Sequence, residues 1–218
     1  MSTPPRRYDL QADDVALVVV DVQNDFVSGS LAIPGAEAIV DPINAMAVAA
    51  KHVIVVTDWH PVGHVSFASA HPGHQEWDVV ETSYGPQQLC ADHCVQGSWG
   101  AELDPRLELT KAELIFRKGY RTGVDSYGAF YENDGATVTG LTGYLTARGI
   151  GKLVVTGLAR YGCVAQTAVG AARDGFDVSI VDEAAVGGDG ELAERSKREM
   201  LETGVGVVSV HDLLVLQS

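Results

Sequence analysis

Six short apolar runs punctuate the chain: residues 16–22 (ALVVVDV), 52–59 (HVIVVTDW), 113–118 (ELIFRK), 153–156 (LVVT), 177–182 (DVSIVD) and 205–210 (VGVVSV). They are short, β-branched and mostly continuous, the pattern of strands buried on both faces. Helical spacing of apolar positions fills the gaps at 37–50, 137–148, 163–175 and 191–202. Pro42 falls in the first turns of the first of these, where proline is tolerated, and Gly175 supplies a stop for the third. A chain that alternates apolar strands with amphipathic helices folds as a parallel sheet covered on both faces. The expected fold class is α/β, one three-layer α/β/α domain over residues 15–218 with a mostly parallel six-stranded sheet. Residues 1–14, polar and proline-containing, are set apart as an N-terminal arm.

Residues 60–112 break this rhythm. They are loop-like and rich in Gly, Pro, His, Ser and Trp, and a loop that long in a compact domain usually serves function. Composition is that of a globular protein, with 46% hydrophobic and 20% charged residues. The formal net charge of −14 argues against binding nucleic acid through its phosphates. No run of 18 apolar residues predicts a membrane span, and the first 14 residues lack the apolar stretch of a signal peptide. Three cysteines are too few for a disulfide framework, which points to a reducing cytoplasm.

Candidate chemistry gathers where strands end. Gly157 breaks the fourth run, and Val164, Thr167, Ala168, Ala171 and Ala172 follow Cys163 at helical spacing. Cys163 is therefore expected in the first turn of a helix, just past a parallel strand. Ligands bind at that edge of an open sheet, and the helix dipole there favours a thiolate. A small cysteine packed at a strand–helix corner is the alternative. Asp21 and Lys118 close the first and third runs on the same edge. A thiol, a carboxylate to move its proton and an ammonium to hold negative charge make a workable amide-cleaving set. Separately, Asp58, His60 and His64 offer one oxygen and two imidazoles within seven residues, a donor mix suited to Zn²⁺, Fe²⁺ or Mn²⁺. His71, His74 and His93 are all candidates for a further ligand.

The strings VVVDVQNDF, GSLAIPGAEAIV, TDWHPVGHVSFAS, DHCVQGSWGAEL, FRKG, DSYGAF, YL-x-x-RGI and VVTGLARYGCVAQTA resemble the nicotinamidase branch of the isochorismatase-like cysteine hydrolases. The resemblance spans roughly residues 15–185. It implies a catalytic triad of Asp21, Lys118 and Cys163, and a divalent ion held by Asp58, His60, His64 and His93. It further implies a cis peptide at Leu158–Ala159, an oxyanion hole made by the N–H groups of Ala159 and Cys163, and a pocket partly lined by Phe26. The activity implied is metal-dependent hydrolysis of a small-molecule amide through a thioester, in a cytoplasmic protein compatible with a homo-oligomer.

Two departures from the family pattern border the expected pocket. Leu89-Cys90-Ala91 stands where Leu-Trp-Pro is common, and Ala159-Arg160-Tyr161-Gly162-Cys163 where Ala-Thr-Asp-x-Cys is usual. Phe26, Cys90, Tyr161 and Gly162 are thus the expected substrate-binding residues. Loss of a flat aromatic wall favours a larger cyclic amide, such as the lactam of a streptothricin-type antibiotic. Nicotinamide is the alternative substrate, and a non-catalytic binding relative of the fold the alternative class.

Overall fold

The computed structural model describes residues 6–215. In chain order the elements are β1 (Val15–Val20), α1 (Asn24–Val27), α2 (Val40–Ala49), β2 (His52–Asp58), β3 (Val79–Thr82), β4 (Gly85–Gln88) and β5 (Leu114–Lys118). There follow α3 (Leu141–Ala147), β6 (Lys152–Leu158), α4 (Ala165–Arg173), β7 (Asp177–Val186), α5 (Gly190–Thr203), β8 (Gly206–Val208) and α6 (Val210–Val215). Six strands form one sheet in the order β5-β2-β1-β6-β7-β8, and every neighbouring pair is parallel.

Every side chain of β1 and β2 is buried, as the continuous apolar runs require. Alternate residues serve opposite faces. Leu17 and Val19 join Ile43 and Met46 of α2 and Leu213 of α6. Ala16, Val18 and Val20 join Leu141 and Leu145 of α3, Ala168 of α4 and Met200 of α5. The three-layer architecture follows directly. Gly157, paired with Val20, is obligatory: its φ is +119°, and a Cβ there would fall 2.0 Å from the Val20 carbonyl oxygen.

Several boundaries differ from the sequence expectation. The segment read as a polar arm carries two anchors, Tyr8 and Leu10, both buried in the core. The Tyr8 hydroxyl also bonds Ser179 and Asp177 of β7. The third expected helix is preceded by an irregular turn, Arg160–Val164, and α3 starts only at Leu141 because Tyr131 and Val138 bridge ahead of it. The sixth run ends at Val208. Ser209 Oγ there accepts from the Asp212 N–H and its hydroxyl donates to the Asp212 carboxylate, so a serine N-cap starts α6. Residues 60–112 contain the antiparallel β3–β4 hairpin, which lacks the apolar alternation that betrays most strands. Among the described residues no helix is long and apolar enough to cross a membrane.

Candidate active site at the strand ends

The sheet order reverses between β1 and β6, because the connections from β1 run one way and those from β6 the other. Such a switch point opens a crevice at the C-terminal strand ends. Asp21 follows β1, Asp58 ends β2, Lys118 ends β5, and Cys163 lies in the turn after β6. Asp21 takes φ +52°, a left-handed conformation that aspartate tolerates better than most residues, while its N–H donates to the Val56 carbonyl.

The four groups meet. Lys118 Nζ lies 2.6 Å from Asp58 Oδ1, 2.9 Å from Asp21 Oδ2 and 3.4 Å from Cys163 Sγ, and donates to the Ser126 carbonyl at 3.1 Å. Donor atoms of Asp21, Asp58 and Cys163 all fall within 4.8 Å of one another. Two carboxylates against one ammonium leave a deficit of positive charge in a buried site. Burial, and then the Asp58 charge, push the Asp21 carboxyl up to about 7. Burial also acts on Asp58, but the Lys118 ammonium and His60 outweigh it and hold that carboxyl well below the usual range. Lys118 resists burial through the two carboxylates and stays charged.

The thiol departs from the dipole expectation. Cys163 precedes α4 rather than opening it. Burial raises the Cys163 pKa well above its ordinary value, Lys118 opposes this, and the Asp21 charge adds to it. The resting site therefore holds a thiol beside a carboxylate able to take its proton. Burial likewise pushes the Cys90 thiol up to about 12 and raises that of Cys94.

A histidine cluster adjoins this centre. The rings of His60 and His64 stack with centroids 4.2 Å apart, and His93 lies edge-on to His60 at 4.9 Å. Each Nδ1 faces a fixed partner: the Gly119 carbonyl for His60, the Ser66 hydroxyl for His64 and the Ala91 carbonyl for His93, at 2.7–2.8 Å. Bonds of this kind set the tautomer and turn Nε2 toward a metal. The residues fit a divalent cation. Their donors form two overlapping groups rather than one, Asp58–His60–His93 and His60–His64–Asp125. His71 and His74 stand apart, His71 Nε2 donating to the Val65 carbonyl.

The remaining predicted residues scatter around the centre. Phe26 is buried with its ring 5.3 Å from His93. Cys90 is half-buried and pairs through its backbone with Ser66 and Ala68. Tyr161 packs toward α5, with Lys197 Nζ 4.8 Å above its ring. A side chain at Gly162 would meet only Ala159, at 3.5 Å. The Leu158–Ala159 peptide is cis, and the N–H groups of Gly162 and Val164, which flank Cys163, both donate to the Ala159 carbonyl. Asp125 escaped sequence reasoning although its motif, DSYGAF, did not. Its carboxylate accepts from Gln87 Nε2 at 3.3 Å, and that amide also reaches the Tyr127 hydroxyl at 3.0 Å. A cavity of about 240 Å³ shares Gln87 and Tyr127 with this network, but Cys163 does not line it.

Known proteins are similar to this chain in sequence and fold. The isochorismatase domain model matches residues 15–212. A nicotinamidase of Acinetobacter baylyi is 44% identical over 208 residues, spanning 94% of this chain and 97% of that protein. The solved nicotinamidase/pyrazinamidase of Acinetobacter baumanii is also 44% identical, with a TM-score of 0.91 over 94% of this chain and 100% of that one. A zinc complex of the Pyrococcus horikoshii pyrazinamidase is 28% identical, with a TM-score of 0.71 over 90% and 99% of the two chains.

Proposed function

The chain belongs to the isochorismatase domain family and is an amidohydrolase, and on that premise we propose that it is a nicotinamidase/pyrazinamidase acting from the Asp21–Lys118–Cys163 centre. The observation that carries this is one cluster: the Cys163 thiol 3.4 Å from Lys118 Nζ, which is itself 2.9 Å from the Asp21 carboxylate. Asp21 takes the thiol proton and Cys163 Sγ attacks the carboxamide carbon. The N–H groups of Ala159 and Cys163 hold the oxyanion, a donor being worth about 2.7–4 kcal/mol in such a hole. Asp21 returns the proton to nitrogen as the C–N bond breaks, ammonia leaves, and a thioester remains. Water then adds, the C–S bond breaks, and the acid and free thiol are released.

Asp58, His60 and His93, which form one donor group, with His64 as the family resemblance implies, would hold one divalent ion, Zn²⁺, Fe²⁺ or Mn²⁺, and a zinc-bound relative supports that reading. When bound, the ion supplies a Lewis-acidic charge that orients the substrate or polarises water. Relatives named for nicotinamide support the pyridine carboxamide over the streptothricin-type lactam, so the latter no longer leads. Three intact triad residues also weigh against a non-catalytic relative.

The deciding experiment is nicotinamide kinetics with metal-replete enzyme. A kcat/KM of about 10⁴ M⁻¹s⁻¹ or above is expected, as for an efficient enzyme. Negligible nicotinamide turnover beside rapid opening of a streptothricin-type lactam would reverse the assignment of substrate.

A pH profile follows from the base. Asp21 works as the carboxylate, so kcat/KM is expected to fall as pH drops below about 7, where that group takes up its proton. A cation at Asp58 opposes the rise and moves the acid limb lower. Activity that stayed constant from pH 8 to pH 4 would remove Asp21 from the role.

A further inference from the structure

The turn after Asp21 touches each backbone segment that carries Asp58, His60 and His93. Gln23 is fully buried and closes a ring on Asp58. Its Oε1 accepts from the Asp58 N–H and its Nε2 donates to the Asp58 carbonyl, both at 2.8 Å. The second amide hydrogen reaches the Ala101 carbonyl at 2.9 Å. This side chain pairs with the end of β2 as a neighbouring strand would.

Asp25, two residues on, is also buried, and its carboxylate is spent on backbone. Oδ2 accepts from the Cys94 N–H at 2.7 Å and Oδ1 from the Ser30 N–H at 3.1 Å. Burying a carboxylate is costly, and charge-assisted bonds to N–H groups are what offset it. Cys94 follows His93 and has φ +46°, a conformation non-glycine residues keep only where their surroundings impose it. The Cys94 carbonyl in turn accepts from the His60 N–H at 3.0 Å. Gly100 seals the arrangement: a Cβ there would fall 1.8 Å from Asp25 Oδ2.

We infer that Gln23 and Asp25 are positioning residues for the metal centre. Gln23 sets the backbone of Asp58. Asp25 sets the His93–Cys94 turn and, through the Cys94 peptide, His60. One turn thus registers three donors from two separate parts of the chain, and it begins two residues after the catalytic base. The inference rests on the metal-site reading above and is independent of the substrate.

Zn²⁺ affinity, measured by competition with a chromophoric chelator on the metal-stripped full chain, tests it. Gln23→Met and Asp25→Asn are each expected to weaken Zn²⁺ binding about tenfold or more, as loss of an outer partner typically does. Leu145→Ala, a core truncation on α3, lowers stability but should leave the affinity unchanged. Wild-type affinity in both turn variants, or an equal loss in Leu145→Ala, would overturn the inference. Should either turn variant fail to fold, Gly100→Ala carries the test, because it displaces the Asp25 carboxylate without removing it. Weakened Zn²⁺ binding there supports the role, and wild-type affinity in the folded variant counts against it. A wild-type protein that binds Zn²⁺ without hydrolysing nicotinamide would remove only the substrate reading. One that binds no Zn²⁺ would remove the metal reading and this inference with it.

Discussion

Replacing Cys163 with alanine is expected to lower kcat/KM by about 10⁴-fold or more, the loss that follows when a covalent nucleophile is removed. The fold should survive. Cys163 is half-buried, in an irregular turn whose neighbouring N–H groups bond Ala159 rather than the thiol. The measurement is steady-state hydrolysis, with circular dichroism to show that structure is kept. Should Cys163→Ala keep near-normal activity while Cys90→Ala or Cys94→Ala lost it, the nucleophile would have to move. The geometry argues against that exchange, since Cys163 Sγ is the thiol that lies 3.4 Å from Lys118 Nζ.

Lys118→Met is expected to be damaging twice over. Its ammonium lies against both Asp21 and Asp58, at 2.9 and 2.6 Å. Removing one partner of a buried ionic group leaves charge uncompensated and costs about 3–5 kcal/mol. For a chain of this size that is a fall in Tm of roughly 6–20 °C. Catalysis should drop by about 10²–10³-fold or more, since a donor to the reacting groups is lost and Asp21 becomes harder to ionise. The pH dependence has a definite sign. Asp21 holds its proton more tightly folded than unfolded, so the stability deficit is smallest below about pH 4, the unfolded carboxylate range. It grows as pH rises through 7. An unchanged Tm together with retained activity would show that Lys118 is dispensable.

Much of this protein is legible in its amino-acid sequence. Continuous Val- and Ile-rich runs declare doubly buried strands because burial acts on each side chain in place. The alternation of such runs with helical spacing leaves few architectures. It also puts Asp21, Lys118 and Cys163 on a single edge, since parallel strands share their C-terminal ends. Boundaries are less legible where local bonding competes with pattern. The Ser209 N-cap turns an apparent strand into α6, and the Tyr131–Val138 bridge delays α3. The β3–β4 hairpin carries no apolar period to read.

Hydrophobic period and chain order, both local properties, dictate the sheet, its two cores, and which residue types stand at its ligand-binding edge. How those residues behave depends on the closed chain. Lys118 and Cys163 are 45 positions apart yet 3.4 Å from each other. Burial in the closed site keeps the thiol protonated and, with the Asp58 charge, raises Asp21, while the Lys118 ammonium opposes both shifts and holds Asp58 ionised. The roles of Gln23 and Asp25 are equally hidden in the sequence, because a backbone N–H brought to a side chain leaves no mark in composition or spacing. Burial and long-range hydrogen bonding set these energies, and they exist only once the chain has folded back on itself.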